Sequence, residues 1–485
     1  MNFNLLDEGF IPVLWSDGRF GRVGIRTALA EAGHIRQIAA SNPMDNVALL
    51  RFLLAVLYWC KGPPPDRGEK DTILAAGQFP PDWFAKLDQQ EKKDCFNLLG
   101  DGKRFYQDPT ARRERATTDL LQEIPTGNNF WHFRHSNDGH EGLCPPCCAI
   151  GLLRLPLFSV SGLPDLKAGI NGTPPIYVVP VGQSLLHTLC LNWVACGSLG
   201  APAWEQSGVR PPDGTPVPLL TGLTMLSRRV WLHGLSSPGG ACIGCGREQS
   251  ALIRFCEFQS AGNQRDEYWD DPHVIYAKKV NAQDGKESRK ALTTPDLTKS
   301  FFRMDKPWAS LFMEVGSSTK FRCNSETVRL LIVGFATDKA KNIDVWERIC
   351  EVPFCASAAE SPGSAAAAKI TTWNDESRRL PGRMKPRGSK SDGDEFVAAL
   401  ASIRPHVEAQ VSANIADLLA EPESAWPRAV DEYHRMLPVV AGSLAPGFTT
   451  RAVQRRNQIA GALPDMTPRQ EPEPRKPRAK KGADK

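Results

Sequence analysis

No stretch of this chain is long, apolar and uncharged. The longest apolar run, VALLRFLLAVLYW at 47 to 59, is broken by Arg51 and is short for a bilayer crossing. The start, MNFNLLDEGFIPV, lacks the basic region and apolar core of a secretory leader. The expectation is a cytoplasmic protein with no membrane partner. Strong charge imbalance is absent too: 59 Lys and Arg against 54 Asp and Glu leave +5 over 485 residues. That excludes a uniformly basic nucleic-acid binder, so any basic surface must be local. Histidine is scarce, with nine residues, and none belongs to an H-E-x-x-H zinc-protease helix. No internal repeat of fixed period is present.

What the chain does have is the composition of a globular protein, with 41% apolar and 23% charged residues and length for two or three domains with a large core. The 39 prolines and 40 glycines imply many loops. Residues 1–346 read as one α+β body. LLDEGFIPVLWSDGRFGRVGI reads as short strands joined by the turn SDGR. SNPMDNVALLRFLLAVLYWC opens on a helix-start signal, Asn42 before Pro43, and its apolar residues run nearly all round, which predicts a buried helix. LLHTLCLNWVACGSLG is a second apolar helix candidate after the strand-like PPIYVVPV, and TVRLLIVGFAT is a β-rich run ending in a polar turn. Residues 347–393 are low-complexity and basic and read as a linker or insert. Residues 394–463 carry three amphipathic helix candidates, and the basic tail 464–485 has almost no apolar residues, which predicts disorder.

Thirteen cysteines in a reducing compartment do not read as a disulfide scaffold. Most, such as Cys60, Cys190 and Cys256, sit among apolar neighbours and read as buried thiols. Two pairs stand apart: Cys144 and Cys147 in GLCPPCCAIG, with Cys148 as an alternative to Cys147, and Cys242 and Cys245 in GGACIGCGRE. C-x2-C spacing lets two thiolates reach one tetrahedral ion, and two such pairs predict a structural zinc site that staples distant loops. The competing readings are core thiols and a redox C-x-x-C, the latter disfavoured because neither pair visibly begins a helix after a strand. HEGLCPPC resembles the deaminase signature only superficially, since His140 and Glu141 are adjacent and leucine precedes Cys144. No His-Asn-His nuclease core accompanies the knuckles.

Three further stretches have a composition suited to nucleic acid. EIPTGNNFWHFRHSNDGHEG mixes Asn128, Asn129, Phe130, Trp131, Arg134 and His135, which can stack on bases and bind phosphate, or simply form an anchored surface loop. LKAGINGTPPIYVV sets Gly169 and Gly172 around Asn171 ahead of a strand, either a tight turn or a place where backbone approaches a ligand. DPHVIYAKKVNAQDGKESRK carries Lys278 and Lys279 near a polar turn, and such a pair is commonly a solvated face.

These stretches, with NLLDEGFIPV, NPMDNVALLRFLLAVL, RFYQDP, IPTGNNFWHFRHSNDG, AGINGTPPIYVVPVGQSLLHTLCLNWV and LTMLSRRVWL, resemble in order and spacing the CasA family. CasA is the large subunit of the type I-E CRISPR surveillance complex Cascade. The resemblance runs through about residue 346 and again over 394–463. It implies an α+β N-terminal domain followed by a C-terminal α-helical bundle, and a binding role in antiviral defence without catalysis. Guide RNA reads the target strand, while the protein reads the short PAM in double-stranded DNA and opens the duplex for R-loop formation, a division of labour known from another effector. The implied partners are the other Cascade subunits, the 5′ handle of the guide RNA, the PAM-bearing duplex and a helicase-nuclease or other effector nuclease.

Carried over by position, the resemblance gives a glycine loop at Ala168, Gly169, Ile170, Asn171 and Gly172, and a lysine finger at Lys278 or Lys279, which would donate to minor-groove acceptors. The wedge falls on ATDKAKN, where Asp338 and Lys339 occupy a tip that commonly holds glutamine in the family. The loop 125–140, with Asn128, Asn129 and Phe130, would dock near the guide RNA and a neighbouring subunit. The family bundle has four helices and three are recognisable here, the low-complexity stretch standing where the first belongs. Arg378, Arg379, Arg383, Lys385, Arg387 and Lys390 in that stretch could bind phosphates without order. Two other classes compete with the binding role: a zinc-bearing nuclease or deaminase acting on nucleic acid, and a purely architectural cap.

Overall fold

A computed structural model describes residues 3–122, 142–160, 167, 169–206, 214–262, 266, 268–274, 276–280, 287–291, 293, 327–338 and 341–353, with the helical positions 431 and 435. The chain divides into two units, Met1–Glu360 and Ser361–Lys485. The expected helices of 394–463, apart from positions 431 and 435, lie outside the described residues. So do the tail, the linker beyond Pro353 and its basic residues.

The SDGR turn joins two antiparallel strands, Ile11–Trp15 and Phe20–Val23, and a third strand, Ile35–Ile38, flanks the first. Gly18 takes the left-handed conformation (φ +88°) that the turn requires. The long helix then runs from Pro43 to Lys61. Asn42 caps it, its side-chain oxygen accepting from the Met44 amide at 2.9 Å, and Pro43 occupies the first position, where no amide is needed. From Met44 to Trp59 every residue except Asn46 is buried. The helix is longer than the apolar run that suggests it, and by length and composition it could cross a membrane, yet most of it lies inside the domain.

Aromatic rings pack edge-on against this helix: Phe52 meets Phe105 at 5.4 Å and Trp204 at 5.7 Å between centroids, and Trp59 meets Trp204 at 5.7 Å. Such pairs add about 0.5–1.5 kcal/mol beyond area burial. The second predicted helix is shorter than expected, covering only Leu185–Asn192. Tertiary bonds end it. The Trp193 indole donates to the Gly62 carbonyl at 2.7 Å, and the Val194 amide donates to the Tyr58 hydroxyl at 2.7 Å.

The β-rich run forms the strand Thr327–Asp338, which pairs with Lys341–Pro353 over its whole length and with Tyr177–Val181 over Arg329–Val333 only. Beyond Val333 the ladder among the described residues is a two-stranded ribbon. At about 3.3 Å per residue the hairpin is roughly 40 Å long. A second antiparallel sheet orders Glu114–Ala116, Phe255–Ser260 and Arg228–Leu232. All strand ladders among the described residues are antiparallel, and helices lie between them in sequence, which makes the unit a mixed helix-and-sheet fold.

If the long helix is the centre of the core, Phe52→Ala should cost about 3–5 kcal/mol. Phe20→Ala, at a ring 75% exposed, should stay within about 0.5 kcal/mol of wild type. Urea unfolding followed by tryptophan fluorescence reads both.

Candidate functional site

The four paired cysteines come together. Cys144 is the N-cap of the helix Pro145–Phe158, and the two prolines between the cysteines occupy its first positions. The first pair therefore begins a helix, with an isolated bridge at Leu143 rather than a strand before it. Proline is tolerated there because those amides have no intrahelical acceptor. The second pair lies in a tight knuckle between the short strands Gly240–Ala241 and Glu248–Gln249. The Gly246 amide, at a glycine with φ +69°, donates to the Cys242 carbonyl at 2.7 Å.

Hydrogen bonds lock the two loops together, the Ile243 amide donating to the Gly142 carbonyl at 3.2 Å. Leu143 and Ile253 exchange hydrogen bonds at 2.9 Å, and the Cys144 amide donates to the Cys242 sulfur at 3.2 Å. The sulfurs of Cys144, Cys147, Cys242 and Cys245 lie within 4.8 Å of one another. Cys148, fully buried one residue further along the helix, is not in the group. A Cβ on Gly244 would stand 3.1 Å from the Cys147 sulfur, so that position favours glycine.

The arrangement suits a metal ion. Four thiolates at about 2.3 Å around a tetrahedral zinc have sulfur–sulfur edges of about 3.8 Å. Cys144 and Cys245 stand 3.8 Å apart. Hydrogen bonds from Cys144 and Cys147 hold the Cys242 thiol far below its usual range, whereas contacts with Cys144 and Cys242 push Cys147 far above it. Arg22 lies beside them. Burial disfavours its charge, but a bond to Cys245 and the neighbouring sulfurs outweigh this and raise its pKa. A cation there offsets the net negative charge that four thiolates leave on a divalent ion.

At the other end of the Pro145–Phe158 helix is the glycine turn. The Gly172 amide donates to the Gly169 carbonyl at 2.9 Å, closing a four-residue turn. Gly172 has φ +79°, and a Cβ on Gly169 would lie 3.2 Å from the Pro156 carbonyl. Arg228, 2% exposed, fastens the chain ahead of the turn, donating to the carbonyls of Val160 at 2.6 Å and Lys167 at 2.8 Å. Burial lowers its pKa to about 10.

Behind the turn lies a polar network in an apolar core. Arg51 of the long helix, 3% exposed, forms a bidentate pair with the fully buried Asp271, at 2.6 and 2.9 Å. Asp271 also accepts from the Asn171 side chain at 2.9 Å, the His273 amide at 3.0 Å and the Trp269 indole at 3.3 Å. Burial alone would raise its pKa, but Arg51 reverses this and holds the carboxyl below the usual range.

Lys278 and Lys279 lie on the strand Tyr276–Val280, in register with Arg289 and Ser288 of the strand Glu287–Ala291. Asp338 is the last residue of its strand and pairs with Lys341, while Lys339 lies outside the described residues. Ala168, Asn128, Asn129, Phe130 and the rest of the 125–140 loop also lie outside them.

A second group joins Glu114, His233 and Glu257 on the antiparallel sheet. Glu114 and Glu257 are cross-strand partners, a repulsive placement that His233 Nε2, 3.3 Å from Glu257, can offset. Sequence reasoning missed the partners of Arg51, Arg22 and Arg228. The one visible signal was a charge interrupting the longest apolar run.

The family model for CRISPR-associated protein Cse1 matches residues 4–444. The CRISPR-associated protein CasA/Cse1 of Thermus thermophilus is 31% identical over 232 residues, which cover 44% of this chain and 43% of that protein, so the chain matches less than half of that relative's length. Among solved structures, CasA of Thermus thermophilus aligns with a TM-score of 0.64 at 19% identity, over 95% of this chain and 100% of that one. Cse1 of Thermobifida fusca aligns with a TM-score of 0.66 at 18% identity, over 95% and 98%. A chain of a CRISPR RNA-guided surveillance complex aligns with a TM-score of 0.64 at 15% identity, over 95% and 100%. At these identities the structures show a shared fold.

Two outcomes follow from the geometry. Elemental analysis of purified protein should find about one metal ion per chain in wild type and in Cys148→Ser, and a large loss in Cys147→Ser. Asp271→Asn should cost about 3–5 kcal/mol near pH 7, because it leaves Arg51 buried without its counter-charge. The sign with pH is set by the lowered pKa of Asp271. Its contribution is complete above the unfolded carboxyl value and is lost as pH falls through the folded one. The gap between wild type and Asp271→Asn should therefore narrow below about pH 4, as read by chemical denaturation across pH.

Proposed function

The chain belongs to the CRISPR-associated Cse1 family, and on that premise we propose that it is the large, non-catalytic subunit of an RNA-guided Cascade complex. In this reading it recognises the PAM of double-stranded target DNA from the minor groove and wedges the duplex open for R-loop formation. Its partners are the other Cascade subunits, the 5′ handle of the guide RNA, the target duplex and an effector nuclease that it helps to position in antiviral defence. The protein acts in the cytoplasm.

The observation that carries the reading is the glycine turn. Two of its four positions, Gly169 and Gly172, have no Cβ, and a side chain at Gly172 would be strained at φ +79°. A backbone stripped of side chains can approach a groove floor closely, and buried arginines fix it from behind. Lys278 or Lys279 supplies a donor for the acceptors that line the minor groove. The ribbon ends at the pair Asp338 and Lys341, and Lys339, next in the sequence, is assigned to the wedge, whose insertion into the duplex needs only shape and a polar substitute for base pairing. The loop with Asn128, Asn129 and Phe130 docks on the guide RNA and a neighbouring subunit.

Zinc is the ion that the four cysteines suit best. Sites with four protein ligands are closed and therefore structural, so the metal supplies a cross-link. Cys144, Cys147, Cys242 and Cys245 hold it, and their loops set where the helix leading to the glycine turn begins.

The test is duplex binding by the assembled complex across a PAM library. Lys278→Ala or Lys279→Ala should flatten PAM preference by roughly 10- to 100-fold, the worth of a charged hydrogen bond, and Gly172→Val should flatten it as well. Lys339→Ala should slow strand opening and leave preference unchanged. Preference and opening untouched by all four would sink the reading. So would DNA turnover by the isolated chain with divalent metal that disappears in His233→Ala, the outcome the nuclease alternative requires.

A further inference from the structure

Asn171 occupies the centre of the turn assigned to the minor groove, but its amide is used on the inner side. A carboxylate only accepts hydrogen bonds, so the nitrogen of the amide must face Asp271, 2.9 Å away. The same nitrogen donates to the Tyr177 hydroxyl at 3.3 Å, which uses both of its hydrogens. The amide oxygen lies 3.4 Å from the Tyr276 hydroxyl, whose single hydrogen it shares with the Trp269 carbonyl at 3.3 Å. Tyr177 passes its own hydrogen to the Leu157 carbonyl at 3.2 Å, at the end of the helix that begins with Cys144. Tyr276 is the first residue of the strand that carries Lys278 and Lys279, and its hydroxyl also accepts from the Asp271 amide at 3.0 Å.

The network therefore joins four separate segments: the long helix through Arg51, the glycine turn through Asn171, the strand after it through Tyr177, and the head of the lysine strand through Tyr276. Arg51 also donates to His273 Nδ1 at 2.8 Å, so the ring carries its hydrogen on Nε2, which donates to Asn192 at 3.0 Å. A buried ion pair is a weak source of stability, because its desolvation nearly cancels its attraction. What it does supply is geometry, since each of its bonds has one direction and one length.

We infer that Arg51, Asp271, Asn171 and Tyr276 form a positioning unit, in which Asn171 is an internal anchor that holds the glycine turn in fixed register with the lysine strand. Asn171 does not read the groove itself. The inference rests on the minor-groove reading above. It assigns PAM discrimination in part to side chains whose hydrogen bonds run into the domain.

The experiment uses the complex assembled with its guide RNA and three targets: duplexes bearing the preferred and the least preferred motif of a PAM library, and a target whose protospacer is already unpaired. Asn171→Ala and Tyr276→Phe should each lower the ratio of affinities for the two duplexes roughly 3- to 10-fold, the size of one net hydrogen bond. The double variant should lose little more than either single change, because both release the same turn. Affinity for the unpaired target should stay at the wild-type value, which a general loss of folding would not allow. Tyr276→Phe keeps the ring in place and removes one hydroxyl, so it tests the network without emptying the core. A ratio reduced by Asn171→Ala and unmoved by Tyr276→Phe, or additive effects in the double variant, would overturn the anchor and make Asn171 a direct contact. Lys278→Ala, Lys279→Ala and Gly172→Val run in parallel. If they too leave the ratio unchanged, the minor-groove reading has failed, and this inference with it.

Discussion

A guanidinium in the middle of an apolar helix sets the main constraint on this structure. Arg51 cannot lose its proton, and at 3% exposure it cannot reach water. The core must therefore deliver a carboxylate to it, and Asp271 arrives from 220 residues away in the sequence. A carboxylate in that position needs further donors, and the donors available come from the glycine turn and the head of the lysine strand. One buried charge thereby dictates how several distant segments meet. The long helix makes the same demand a second time. Its Asp45 accepts from Arg154 at 2.6 Å, which fixes the Pro145–Phe158 helix against it. Two buried ion pairs on one largely apolar helix define orientation, where apolar packing alone would tolerate sliding.

The elements legible in the sequence were those whose cause is local. Asn42 before Pro43 marked the start of the long helix because capping needs only residues two or three apart. The SDGR turn was legible because one glycine at positive φ suffices. The cysteine quartet was legible because C-x2-C spacing is a local consequence of tetrahedral coordination, even though the two halves meet through folding. The partner of Arg51 was not legible, since nothing near residue 51 encodes residue 271. For the same reason the helix expected from LLHTLCLNWVACGSLG ended early. Its last residues include Val194, Gly197 and Gly200, which are weak helix formers, and Trp193 and Val194 find partners in Gly62 and Tyr58, across the core. The helix beginning at Cys144 escaped notice because CPPC reads equally well as a turn, and only the structure shows both prolines at positions that need no amide hydrogen bond.

The glycines show the same division. Gly169 and Gly172 could be singled out by spacing, but the reason for each is different. Gly172 needs its left-handed conformation, a property of the turn itself. Gly169 is confined by the Pro156 carbonyl, a property of the helix packed behind it. For Asn171 between them, a polar side chain in a glycine turn invites an outward-facing reading from sequence. Its hydrogen bonds run the other way.

These contacts make the Pro145–Phe158 helix a strut. Its N-cap is one of the four clustered cysteines, and its last turn lies against the glycine turn through the carbonyls of Pro156 and Leu157. Fourteen residues at about 1.5 Å each span roughly 21 Å, and the Asp45–Arg154 pair clamps the strut to the long helix partway along. A metal ion that ties Cys144 and Cys147 to Cys242 and Cys245 would fix one end, and the Arg51 network fixes the other. Neither end needs chemistry of its own. A backbone that must fit a groove to within a fraction of an ångström has to be immobile before it binds, because any freedom left in it is lost as entropy on contact. Two anchors at the ends of one rigid helix meet that requirement, and they explain why a closed cysteine cluster and a buried salt bridge occur together in a protein whose proposed work is recognition.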